Sequence, residues 1–274
     1  MGLIGGSIGL AVKKKGLFAE VRGTTRRQQT LEAALAAGAI DSAFLDPLEA
    51  ARGADGGVVA TTGSTIAKYC LECAAVAREG ALVTDVGSVK ARIDAAVRPK
   101  MPKGRYFIGS HPMAGSEKTG VVNARADLLA GATCIVTPVG DSDDWHYRML
   151  SEFWQSLGMN VFKMSPDQHD WVVANISHLP HMLAAALVAA VPDGALPFGA
   201  TGFRDTSRVA GGDPAIWREI AEANSGEILQ AMKRFEAEME TIKALILRSD
   251  FQGLEDYLRN ASDRRRKRFD GAQS

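Results

Sequence analysis

Short apolar runs alternate with helical stretches through the first half of the chain. The runs Glu20–Thr24, Gly57–Thr61, Ala81–Asp85, Tyr106–Ile108 and Thr133–Thr137 have the length of buried strands and end in turn-forming residues. Alanine-rich segments such as Gln29–Ala37 and Ile66–Ala77 lie between them and read as helices. Strand and helix in alternation predict an α/β fold with a doubly wound, mostly parallel sheet of the Rossmann type. A last apolar stretch, Asn160–Met164, follows a helix holding Phe153, Trp154 and Leu157 and reads as an edge strand.

After Pro166 the pattern is helical alone. We therefore divide the chain into a dinucleotide-binding domain, residues 1–166, and an all-α domain, residues 167–274. Asp167 is a good N-cap for a helix running towards Ala190. Pro180 lies inside that helix and should kink it, freeing the carbonyl of Ile176. A further helix starts near Asn224, with Glu227 three residues on as a capping box. Its apolar positions, Ile228, Met232, Phe235, Met239, Ile242 and Ile246, are spaced four and three apart, the pattern of a packed helical seam.

Composition narrows the function classes. The chain has 274 residues, enough for two domains, and a hydrophobic content of 46%. Its formal net charge is zero, so no overall field draws it to nucleic acid or to an anionic membrane. The basic run Arg264–Arg268 reads as a solvated helix end. We expect no membrane-spanning run and no secretory leader, which points to the cytoplasm. Cys70 and Cys73 form a single C-x-x-C with no second pair. They read as neutral helix cysteines rather than a metal or redox site.

The chain opens M-G-L-I-G-G-S-I-G. Gly2 and Gly5 have the spacing of the second and third glycines of the G-x-G-x-x-G fingerprint. The second lets backbone approach a pyrophosphate and the third lets a helix pack closely. Gly6 opens a helix to about Lys15 whose first amides face a phosphate. The first glycine and the strand before it are absent. We expect Met1 not to be the natural first residue, with about four to six apolar residues and a glycine encoded upstream. About twenty residues further on, where an acid would read a ribose 2′-hydroxyl, the chain has Thr25 followed by Arg26 and Arg27. Guanidinium groups suit a 2′-phosphate, so NADP is favoured, with NAD as the alternative. The plainer reading is a pair of solvated arginines.

Gly109–Gly120 reads G-S-H-P-M-A-G-S-E-K-T-G. It places His111 in what reads as a loop at the carboxyl end of a strand, where open α/β sheets bind ligands. With D-V-G-S-V-K (Asp85–Lys90), I-S-H-L-P-H (Ile176–His181) and G-F-R-D-T-S-R (Gly202–Arg208), it resembles the prephenate and arogenate dehydrogenase family of tyrosine biosynthesis. The motifs follow in order along nearly the whole chain.

That resemblance implies oxidative decarboxylation of a cyclohexadienol, with hydride passing to nicotinamide. It implies that His111 is the catalytic histidine and that Ser88 contacts the hydroxyl region. It implies that Arg208 binds substrate, with Asp205 and Glu117 in an ionic network around it. Trp217 matches an active-site tryptophan, and His181 a residue close to the substrate side chain. The helical domain is implied to form a homodimer. Read without the family, Ser88 is also a candidate helix N-cap, Arg208 a surface partner of Asp205, and Trp217 a core residue. His178 and His181 share one helical face, but they have no carboxylate at catalytic-zinc spacing, so we expect no metal.

The resemblance implies that a histidine at position 181 favours the keto acid prephenate, and that the paired arginines, carried by some arogenate enzymes of the family, favour the amino acid arogenate. We take prephenate dehydrogenase as the leading reading and arogenate dehydrogenase as its alternative. A non-catalytic dimeric remnant with an incomplete cofactor cleft is a reading of another class. A 3-hydroxyacid dehydrogenase is a further one, against which the segments around His111 and Arg208 argue.

Overall fold

The computed structural model describes residues 1–115, 118–140 and 144–270. In chain order the first half forms α1 (Leu3–Lys15), β1 (Arg22–Thr24), α2 (Gln28–Ala36), β2 (Ser42–Phe44), α3 (Pro47–Ala51), β3 (Gly56–Val59), α4 (Gly63–Val76), β4 (Leu82–Asp85) and α5 (Ala91–Val97). There follow β5 (Tyr106–Phe107), β6 (Gly109–Pro112), β7 (Thr133–Thr137), α6 (Asp144–Ser156) and β8 (Asn160–Lys163). The rest is helical: α7 (Pro166–Val173), α8 (Leu179–Ala190), α9 (Thr201–Ser207), α10 (Pro214–Ala223), α11 (Ser225–Leu247) and α12 (Phe251–Phe269).

Three ladders carry the α/β part. β1 pairs with β2, and β3, β4 and β5 form a second ladder, all parallel. In the third, β7 pairs with β8 in parallel and with β6 in antiparallel register. The apolar side chains of α1, β4, β7 and α6 form one core, with Ile8, Val12, Leu82, Val136, Leu150 and Trp154 buried in it. A second core packs Ile66, Cys70 and Ala74 of α4 against Val83 and Phe107. Gly9 is where α1 comes closest to its neighbours. A Cβ there would lie 2.2 Å from the Ala39 carbonyl oxygen, so only glycine permits the approach.

One expectation fails at β6. His111 lies in a strand, opposite Ile135 of β7, and not in a loop. G-S-H-P lacks the apolar alternation that announces a strand; β6 starts at Gly109, which is tightly packed. A Cβ there would meet Thr137 Oγ1 at 2.7 Å and Lys90 Cδ at 3.1 Å.

The chain divides into two compact units, Met1–Ser225 and Gly226–Ser274. Among the described residues every strand lies before Pro166. Two carboxylates from the later helices reach back within the first unit and cap helices of the α/β part. Asp170 of α7 accepts from the amides of Lys90 and Ala91 at the start of α5 (2.7 and 2.9 Å). Glu219 of α10 accepts from the amide and hydroxyl of Ser64 at the start of α4 (3.0 and 3.1 Å). Each satisfies amides that helix geometry leaves free.

The helical half differs from expectation in its caps. Ser165, not Asp167, is the N-cap of α7; it forms a capping box with Gln168, and Pro166 occupies the first turn. Between α7 and α8 the backbone forms a π-helical turn, Ala174–His178. The wider turn absorbs the hydrogen bond that Pro180 cannot make. Asn224 turns its amide inward and does not cap α11.

The run Pro166–Ala190 is, by length and composition, long and apolar enough to cross a membrane, contrary to the expectation of no such segment. It also holds buried His169, Asp170, His178 and His181; His169 Nδ1 meets Asp170 Oδ1 and His178 Nδ1 meets Asn224 Nδ2 inside the fold.

In the second unit, Met239, Ile246, Leu247, Phe251 and Leu258 of α11 and α12 are exposed.

Candidate functional site

The carboxyl end of β4 and the strand β6 meet in a buried polar cluster. Asp85 ends β4, and its carboxylate accepts from the amide of Gly87 at 2.8 Å and from the Lys90 ammonium. Lys90 is fully buried, and its Nζ also donates to the Ser110 carbonyl at 2.9 Å. Asp85 Oδ1 has no partner among the described residues. Ser110 in turn is bonded to Thr84 Oγ1 at 2.8 Å and accepts from Trp154 Nε1 at 3.0 Å. A buried charge pair of this kind is costly unless hydrogen-bonded. Here neighbouring backbone and hydroxyl groups supply most of those bonds.

His111 points into this cluster beside a second histidine. Its Nδ1 lies 2.9 Å from His169 Nε2, and His169 Nδ1 lies 2.7 Å from Asp170 Oδ1. Burial, with the nearby His169, Lys90 and His178, holds His111 well below the usual histidine range. Burial also lowers His169, against the opposing hydrogen bond from Asp170. His178 is pushed down to about 4, again chiefly by burial. All three rings are therefore uncharged near neutrality.

On the far side, His181 stacks face to face on Trp217, ring centroids 3.5 Å apart and 10° between planes. His178 meets Trp217 edge-on at 6.1 Å. Burial lowers His181 below the usual histidine range, opposed by a hydrogen bond to the Val209 backbone. A Cβ on Gly212 would sit 2.5 Å from Trp217 Nε1, so that glycine lets the indole approach.

The expected residues fall into distinct places. His111 joins the buried cluster. Ser88 is half-buried beside it; the N-cap position of α5 belongs to Lys90, so the capping alternative for Ser88 fails. His181 and Trp217 come together as a stack. Arg208 and Asp205 are exposed, and among the described residues they form no ion pair. Glu117 lies outside the described residues. Lys90, His169, Asp170, His178 and Asn224 were missed as site residues. Lys90 stood in a quoted motif; His169 and Asp170 sit in none.

The nucleotide end is assembled at α1. Gly2 is its N-cap in extended conformation, and no side chain caps the helix. A Cβ on Gly2 would meet nothing within 4 Å, so backbone faces open space there. Gly5 and Gly6 face inward, where a Cβ would meet Ala60 at 3.2 Å and Val121 at 2.8 Å. Met1 N donates to the Thr24 carbonyl at 2.9 Å, which brings Gly2 beside the end of β1 and Thr25. Arg26 and Arg27 are exposed and, among the described residues, unpaired. Free amides at an open helix N-terminus fit a phosphate group.

Comparison with known proteins decides the family. The description "Prephenate dehydrogenase, nucleotide-binding domain" matches residues 8–163. "Prephenate dehydrogenase, dimerization domain" matches residues 165–260. The chain belongs to the prephenate dehydrogenase family. It is 34% identical to a prephenate dehydrogenase of Bacillus subtilis over 97% of this chain and 73% of that protein. A crystal structure of prephenate dehydrogenase from A. aeolicus, in complex with hydroxyphenyl propionate and NAD+, superposes with TM-score 0.90. It is 28% identical and covers 97% of this chain and 95% of its own. Synechocystis arogenate dehydrogenase superposes with TM-score 0.84 at 30% identity, covering 97% and 96%. Membership of this family makes the chain an oxidoreductase.

The buried histidines give the fold a pH dependence with a defined sign. Unfolded histidine binds its proton near pH 6.5. The folded rings bind theirs at lower pH, His178 at about 4. Stability is therefore complete above about pH 6.5 and falls as pH drops towards the folded values. The melting temperature should be lower at about pH 5.5 than at about pH 7.5, and His178→Gln should flatten that slope. A melting temperature that rises on acidification would contradict this.

Proposed function

We propose that the chain is an NADP-linked prephenate dehydrogenase, acting as a homodimer and converting prephenate to 4-hydroxyphenylpyruvate and carbon dioxide. The observation that carries this is His111: an uncharged imidazole held in a buried polar cluster at the edge of the sheet. Such a ring suits accepting a hydroxyl proton near neutrality.

In this reading, residues before Pro166 serve the nucleotide and His111, and residues after it serve the substrate side chain and the partner subunit. Gly2, Gly5 and Gly6 hold the pyrophosphate at the start of α1. Thr25, Arg26 and Arg27 receive the ribose, and the two free guanidinium groups favour a 2′-phosphate. A nicotinamide bound there would supply the acceptor for the hydride from the ring carbon that bears the hydroxyl. His111 accepts the hydroxyl proton, with Ser88 beside that hydroxyl. The ring carboxylate leaves as carbon dioxide and the ring becomes aromatic. His181, flat against Trp217, faces the substrate side chain. Arg208 anchors a carboxylate once substrate draws it in, flanked by Asp205 and Glu117. The dimerization-domain match and the exposed apolar residues of α11 and α12 support a homodimer.

Arogenate is the second reading. It is favoured by the likeness to the Synechocystis enzyme and by Arg26 and Arg27. Reduced nicotinamide formation, measured with each substrate and each cofactor, separates the two. Prephenate with NADP should turn over fastest, and the double variant Arg26→Ala, Arg27→Ala should narrow or reverse the cofactor preference. Faster turnover of arogenate, or tighter binding of NAD by the unaltered protein, would contradict these assignments.

His111→Asn should lower kcat by about 10²- to 10⁴-fold, the usual cost of losing a general base, with little change in substrate affinity. A variant with unchanged kcat would remove His111 from the chemistry.

A further inference from the structure

Asp170 faces two ways. Its carboxylate accepts from Lys90 N, Ala91 N and His169 Nδ1, at 2.7, 2.9 and 2.7 Å. Its backbone carbonyl accepts from the side-chain amide of Asn224 at 2.9 Å. The contacts to His169 and to Asn224 each fix a proton further along.

Both carboxylate oxygens of Asp170 already accept a backbone N–H, so the contact with His169 is one in which Asp170 accepts, and the His169 proton is on Nδ1. His169 is neutral near pH 7, which leaves its Nε2 as a lone pair. That lone pair lies 2.9 Å from His111 Nδ1, which must then carry the proton. The other chain runs from the carbonyl. Asn224 Nδ2 gives one hydrogen to Asp170 and the other to His178 Nδ1, 3.2 Å away. An amide nitrogen cannot accept, so His178 Nδ1 is bare and its proton is on Nε2. That Nε2 is buried and has no partner among the described residues.

We infer that Asp170, through His169 on one side and Asn224 on the other, imposes opposite tautomers on two histidines of the site. His111 presents a bare Nε2 and His178 presents an Nε2–H. The inference rests on the reading of His111 as the base, and says which nitrogen acts. The site thereby holds one neutral acceptor, for the hydroxyl proton, and one neutral donor, for an anionic or carbonyl oxygen of the substrate. His178 lies close enough to His111 to weigh against its protonation. When His111 takes a proton at Nε2, its Nδ1–H stays on His169. The new positive charge then faces the Asp170 carboxylate through that ring, with no second proton moving. His169, Asp170 and Asn224 are positioning residues.

The test is the ring nitrogens themselves. The full chain, labelled with ¹⁵N-histidine, gives long-range proton–nitrogen spectra, assigned with His111→Asn and His178→Asn. His111 should show a protonated Nδ1 and a bare Nε2, and His178 the reverse. His169→Phe removes the acceptor. It should return His111 to the Nε2–H form and lower kcat about 10- to 10⁴-fold, the upper end being the cost of a wrong tautomer in a serine-protease triad. KM for NADP should not move. His169→Gln offers an amide oxygen to His111 Nδ1–H and should restore the tautomer and most of the rate.

A wild-type His111 protonated at Nε2, or a wild-type His178 bare at Nε2, overturns the inference whatever the kinetics. So does His169→Phe with the His111 tautomer unchanged. A His111→Asn variant that keeps full kcat defeats the base assignment alone, because the spectra read the tautomers without turnover.

Discussion

One carboxylate, that of Asp170, ties together the parts of the molecule that have to agree. It caps α5, whose first amides follow directly on the Asp85–Lys90 segment, and it holds His169 against His111. The residue before it is the ring that touches His111, and its own carbonyl holds Asn224. A shift of α7 would therefore uncap α5 and misplace His111 in one step. Glu219 repeats the capping at α4 from α10, so two helices of the sheet-bearing half depend on acids supplied from the helical half. These contacts explain why the first compact unit runs on to Ser225.

The cluster also manages charge. Lys90 and Asp85 are both buried, and the ammonium stays close to the histidines. Its field and the burial act in the same direction, keeping His111 uncharged and able to accept a proton. Removing Lys90 alone would leave an unpaired buried carboxylate and relax that depression at the same time. The charged pair and the neutral histidines therefore form one electrostatic unit.

Much of this was legible in the sequence where local pattern and burial coincide. β4 and β7 are apolar runs buried almost throughout, and α1 follows its glycines. β2 was not seen because Ser42–Phe44 is three residues long and half-buried. β6 was not seen because G-S-H-P has no strand pattern; its pairing comes from β7. His111 stood out beside its proline. His169 and Asp170 did not, because what makes them matter is contact with residues 58 and 80 positions earlier. Asn224 read as a helix cap, a local role, but tertiary partners claimed its amide. The ionic network around Arg208 was an expectation carried by family likeness. Among the described residues the exposed Arg208 and Asp205 form no ion pair.

The claim that a single carboxylate joins α5 to the site is tested most directly by amide hydrogen exchange, comparing the native chain with Asp170→Ala. The amides of Lys90 and Ala91 should be protected in the native protein and lose that protection in the variant. The Ser64 amide, held by Glu219, should be unchanged. Equal protection of Lys90 and Ala91 in both proteins would contradict the account.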